Sequence, residues 1–122
     1  MKPLFLTTHI GFKSEGRYHR FKKKHLILVH SNGKINYYYI HQPHSDMKVK
    51  LVANSHKLEN IYDYVNDTFF DIRQGWIFNL NYYFSHDSDR MIQTILEQKA
   101  DLLPELIVAR DRVQAFKTAL GF

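Results

Sequence analysis

Eight histidines stand in this chain of 122 residues, and all but His86 precede residue 58. Imidazole is the side chain that both gives and takes a proton near neutral pH. Combined with many Lys, Arg and Tyr, histidines fit a metal-independent ribonuclease. Such an enzyme needs a base for the 2′-hydroxyl, an acid for the leaving oxygen and a cation for the phosphorane. His19, His25, His30, His41 and His44 are the candidates for acid and base, with Arg17 or Arg20 as the cation. No spacing among them selects a pair, so a ribonuclease toxin is the weakest of three functional readings. His41-Gln42-Pro43-His44 places two imidazoles in a proline loop, where a chelate would need a third ligand such as Asp46 or His86. No short metal motif is completed, and a plain loop is the expected state. The chain has no cysteine, which excludes disulfides, thiolate metal sites and cysteine nucleophiles. No catalytic residue, metal or other cofactor is assigned, and the chain reads as a binder that is not an enzyme.

The strongest signal is charge. From Lys13 to His25 the sequence KSEGRYHRFKKKH holds six cations against Glu15, a net of +5 that equals the net charge of the whole chain. Charge concentrated this way marks a local binding feature more than a solubility device. Run as a strand from Arg17 to His25, the segment puts Tyr18, Arg20, Lys22 and Lys24 on one face and Phe21 on the other. Cations neutralise phosphates and rings stack on unpaired bases, so the interleaving suits nucleic acid. The competing reading is a solvated loop or a strand end guarded by lysines against edge pairing. We assign the binding surface to Lys13, Arg17, Tyr18, Arg20, Lys22, Lys23 and Lys24, extended by Lys48 and Lys50 of a further strand. The expected partner is nucleic acid or an acidic, nucleic-acid-handling protein surface. The alternative is a protein-directed inhibitor of the kind carried by phages and plasmids or paired with toxins, its interface anchored by tyrosines. The first reading predicts salt-sensitive binding, the second a one-to-one protein complex, and the ribonuclease RNA cleavage.

Residues 1–57 sum to +9 and residues 58–122 to −4, so the chain divides into a basic, β-rich half and an acidic, helical one. No linker separates them, and one domain spanning 1–122 is expected. The apolar start MKPLFLTTHIGF lacks the core and cleavage site of a signal peptide, and no run approaches the roughly 18 apolar residues of a membrane span. The chain is therefore read as complete and cytoplasmic, with no membrane partner and an undefined oligomeric state.

Hydrophobic periodicity supplies the elements that would hold these residues. Leu4, Leu6, Ile10 and Phe12 predict a strand over 4–12, and Ser14-Glu15-Gly16 a turn. Residues 25–30 and 34–41 predict a hairpin closed by a type I′ turn at Asn32-Gly33, pairing Leu28 with Tyr37 and His25 with Ile40. Its two apolar faces make it central to a sheet. Residues 47–53 form another strand, and 76–84 alternate with Trp76, Phe78, Leu80, Tyr82 and Phe84 on one face. Helical spacing appears over 56–73, where Glu59, Asp63 and Asp67 line an exposed stripe that reads as a solvated face. A second helix follows Ser85–Asp89 through Met91 to Leu96, and a third starts at Pro104 and ends at Gly121. The predicted class is α+β: a mainly antiparallel sheet of four N-terminal strands and one later strand, packed with three helices in the order β-β-β-β-α-β-α-α.

Overall fold

The computed structural model describes residues 4–5, 9–45, 49–54, 68–96 and 103–122. Three antiparallel sheets are stacked, and almost all regular structure in the described residues is extended.

The first sheet joins β1 (Leu4–Phe5), β2 (His9–Ser14) and β3 (Arg17–Lys22) in that order. The expected single strand over 4–12 is thus folded back on itself, with Leu4 opposite Gly11. Glu15 and Gly16 close the β2–β3 hairpin with φ of 50° and 76°. Positive φ at both central residues is the requirement of a type I′ turn, which matches the twist of the flanking strands. Ile10 and Phe12 face inward, opposite Phe21 and His19.

The second sheet is the middle layer. It contains β4 (Leu26–Ser31), β5 (Asn36–His41), β6 (Val49–Asn54), β7 (Phe69–Arg73) and β8 (Trp76–Asn79), in the order β6-β5-β4-β8-β7. β4 is its central strand, as the apolar faces of the hairpin required. The register differs from the expected one by two residues: Leu28 lies opposite Tyr39 and His30 opposite Tyr37. The turn is centred on Gly33-Lys34, with Gly33 at φ 94° and the Asn32 side chain accepting the Lys34 and Ile35 N–H groups at 3.0 and 2.8 Å. Glycine in the first central position, followed by a residue without positive φ, is the pattern of type II′ turns rather than type I′. A bulge between Leu26 and Leu28 turns Ile27 and Leu28 toward one face, while Leu26 and Val29 serve the other.

The first sheet covers one face of this layer. Ile10, Phe12 and Phe21 pack there on Leu26, Val29, Tyr38, Ile40, Val52 and Ile77. The other face carries a second core of Ile27, Leu28, Tyr39, Ile72 and Phe78. It is closed by a third sheet of β9 (Tyr83–His86), β10 (Met91–Thr94) and β11 (Leu106–Ile107), in the order β11-β10-β9, together with α1 (Val113–Ala119). Phe116 of α1 is fully buried in that core.

The expectation of three helices is overturned. α1 is the one α-helix among the described residues, preceded by a 3-10 turn at Arg110–Arg112. Most of the helix placed at 56–73, including Glu59, Asp63 and Asp67, lies outside the described residues. Its last part, Phe69–Arg73, is β7. Phe69 and Phe70 serve opposite cores of a sheet covered on both sides, which erases strand alternation and imitates helical spacing. The second helix is instead the β9–β10 hairpin. Asp87 accepts the Asp89 and Met91 N–H groups at 2.9 and 3.0 Å, and Arg90 sits at φ 67°. A short acidic side chain closes a turn with the same bonds by which it caps a helix. Pro104 precedes an extended segment, and the third helix starts only at Val113. There Val108 N–H bonds Arg90 O at 3.0 Å and Ala109 N–H bonds Ile72 O at 2.8 Å, tying the chain down as strand. The predicted strand 76–84 also divides at a 3-10 turn over Leu80–Tyr82. Asn79 causes the break: its side chain accepts the Asn81 N–H at 3.0 Å and donates to Leu26 O at 2.9 Å. Phe84, placed on an apolar face by alternation, is 67% exposed.

Candidate nucleic-acid interface

The β2–β3 hairpin presents one face outward. Cross-strand pairing sets Lys13 opposite Tyr18, Gly11 opposite Arg20 and His9 opposite Lys22, and side chains directly opposite share a face. Tyr18 is 77% exposed, and the Lys13 ammonium lies 5.5 Å from the centroid of its ring. Arg17 is exposed at the hairpin tip. Opposite it, the Ser14 hydroxyl donates to Ala53 O and pins the tip to β6. The inward face holds Ile10, Phe12 and Phe21, so apolar packing on one side fixes which cations point to solvent on the other.

The alternation expected to continue to His25 stops at Lys22. Lys23–His25 form a 3-10 turn into β4, so Lys24 is exposed but not in the strand row of Arg20 and Lys22. Lys23 is half-buried, and burial holds its ammonium below the ordinary lysine range. Lys50 stands exposed on β6, opposite Ile40, on the side of the sheet against which β2 packs. Lys48 lies outside the described residues. The structure therefore brings Lys13, Tyr18, Arg20 and Lys22 onto one face, with Arg17, Lys24 and Lys50 at its margins. Lys13, Arg17, Arg20, Lys22, Lys24 and Lys50 form no ion pair among the described residues.

At the Lys22 end this face meets a group that sequence reasoning did not assemble. The His25 ring lies 6.1 Å from His41 at 79°, and His41 Nδ1 is 3.3 Å from the Tyr82 hydroxyl. Tyr82 donates its hydroxyl proton to Lys24 O at 3.1 Å, which anchors the 3-10 turn. Burial raises the Tyr82 hydroxyl to about 12. His25 is held below the usual imidazole range, first by burial and then by Lys24, His41, Lys22 and His44. Tyr82 gave no sign of this role, because strand alternation counts it only as an apolar position. Among the described residues, no three His, Asp or Glu gather in a way that would hold a metal ion.

The opposite end of the middle sheet carries a row of planar groups on four neighbouring strands. Arg73 lies 4.2 Å over the Trp76 ring, Trp76 stacks on His30 at 3.8 Å and 20°, and His30 is 6.1 Å from Tyr37. Burial, then Arg73, lowers the His30 pKa. His19, opposite Phe12, belongs to the hairpin and not to either group. Of the histidines considered for acid–base chemistry, His25 and His41 stand together with His44 near them, whereas His19 and His30 lie apart from that group. Among the described residues no helix is long and apolar enough to cross a membrane.

No family model matches the chain, and no curated protein matches it. Among solved structures, its fold is similar to a LytTr DNA-binding domain from Bacillus cereus, with a TM-score of 0.66 at 16% sequence identity over 94% of this chain and 98% of that one.

Proposed function

We propose that this protein binds nucleic acid, without catalysis, through the outer face of the β2–β3 hairpin and the turn that follows it. Lys13, Arg17, Arg20, Lys22 and Lys24 neutralise backbone phosphates, Tyr18 lies against a base or sugar, and Lys23, Lys48 and Lys50 widen the field. The carrying observation is a solvent-facing row of cations, with no ion-pair partner among the described residues, around a tyrosine that is 77% exposed. A surface that turns such a row of cations to solvent is poised for a polyanion, and release of condensed counterions then drives association. The fold likeness supports the same reading, since the similar structure is described as a DNA-binding domain.

The test is fluorescence anisotropy with labelled duplex DNA, single-stranded DNA and RNA across a salt series. The parent is compared with a K13Q/R17Q/R20Q/K22Q variant, in which all four replaced residues are exposed. About five phosphate contacts give a log–log salt slope near −4.5 on duplex, and removing four of them flattens it by about 3.6. No binding at about 150 mM salt, or a slope unchanged in the variant, would overturn the proposal.

A further inference from the structure

We propose that the pole formed by His25, His41 and His44 with Lys22 and Lys24 is a proton-linked phosphate site, so that nucleic acid binds more tightly as pH falls below 7. This rests on the nucleic-acid reading and adds its regulation. The pole is assembled from separate segments. Lys22 ends β3, Lys24 and His25 belong to the 3-10 turn, His41 ends β5, and His44 lies in the loop after it. The groups facing His25 among the described residues are Lys22, Lys24, His41 and His44, all cationic or able to become so. On the neighbouring elements, His9 stands opposite Lys22 across β2, Lys50 is one pair away from the His41–Val49 pairing on β6, and Tyr82 reaches in from the turn before β9.

The hydrogen bonds dictate where a proton can go. The single hydroxyl proton of Tyr82 is committed to Lys24 O. His41 Nδ1 must therefore be the donor in its contact with Tyr82, which fixes the Nδ1–H tautomer of the neutral ring. In the free protein burial, first, and then four positive or chargeable neighbours oppose protonation of His25 and hold it below the ordinary imidazole range. A phosphate placed between the 3-10 turn and the β5 end reverses the sign of that local field. It favours the imidazolium form of each ring it approaches, and binding then takes up protons. By linkage, affinity rises with falling pH by up to about tenfold per pH unit for each proton taken up.

The experiment uses the full chain and a labelled DNA duplex at constant ionic strength, at pH 8.0, 7.0 and 6.0, with chelator present throughout. Calorimetry in buffers of different ionisation enthalpy counts the protons taken up by the parent, which needs no variant. The expected result is at least one proton taken up near pH 6.5 and an affinity gain of about tenfold or more between pH 8.0 and 6.0. The H25Q/H44Q variant, which spares the His41–Tyr82 bond, is expected to take up fewer protons on binding and to lose most of the affinity gain between pH 8.0 and 6.0. An H30Q/H86Q control should keep it. Binding with no proton uptake, or a gain that survives H25Q/H44Q, would overturn the proton-linked site while leaving the nucleic-acid reading intact. Absence of binding at every pH would overturn both.

Discussion

Gly75 and Gly33 occupy the turns of adjacent hairpins, and substituting each by alanine separates two costs that usually travel together. Both have positive φ, 78° and 94°. An alanine at either position is forced into the left-handed region, at about 1–2 kcal/mol. Their surroundings differ. A Cβ on Gly33 meets nothing within 4 Å, whereas one on Gly75 would lie 2.6 Å from Ser31 O, which is backbone and cannot rotate aside. Relief requires the β7–β8 turn to withdraw from the end of β4. That withdrawal breaks the Ser31 N–H bond to Gly75 O at 2.8 Å, a further loss of about 1 kcal/mol, and leaves a backbone donor to be resatisfied. Gly33→Ala should therefore destabilise by about 1 kcal/mol and Gly75→Ala by about 3. For a chain of this length the corresponding falls in Tm are about 4 and 12 °C. Urea denaturation followed by circular dichroism gives both values, with m unchanged if the unfolded states match. Equal losses in the two variants would refute the reasoning, because they would show that the two turns separate at no cost.

Three further outcomes follow from the fold. Trp76 is the sole tryptophan of the chain and stacks on His30 at 3.8 Å. Protonation of that imidazole should quench its emission, with a midpoint below 6.5 because burial and Arg73 lower the His30 pKa, and H30Q should remove the transition. The same shift has a stability sign: the folded state binds fewer protons than the unfolded one below the ordinary histidine range, so stability is present above pH 6.5 and declines as pH falls beneath it. Glu15 sits at φ 50° in the first central position of the β2–β3 turn, where Asn is better tolerated. Glu15→Asn should raise stability by about 0.5 kcal/mol and, by removing the one acid in the basic segment, tighten nucleic-acid binding. A lower Tm in this variant would show that the turn is not held as described.

What the sequence made legible was local. The β4–β5 hairpin and its central place could be read because Leu26–Val29 and Tyr37–Ile40 are apolar at consecutive positions, as in a strand covered on both faces, and flank a turn sequence. Its register could not, because Asn32-Gly33 and Gly33-Lys34 are both competent turn centres; the Asn32 side chain decides by accepting from Lys34 and Ile35. The helices were misread for a related reason. Phe69, Phe70 and Ile72 supply two cores from one strand, and Asp87 closes a hairpin with bonds that equally cap a helix. Each is a local pattern with two physical solutions, and the choice between them lies in contacts distant along the chain.

The basic segment shows the same division in its functional form. Its charge is a property of composition and survives any fold, whereas its shape depends on where the strand ends. Alternation extended to His25 makes a ribbon of Tyr18, Arg20, Lys22 and Lys24. The 3-10 turn at Lys23 instead redirects Lys24 and His25 toward His41, through a tyrosine 58 residues further along. That bend divides one run of cations into two environments. On β2–β3 the cations stand in solvent on the outer side of the hairpin. At the pole, lysines crowd imidazoles whose charge depends on what approaches them. A chain that continued straight would have the first environment alone, and the binding proposed here would then answer to salt but not to protons.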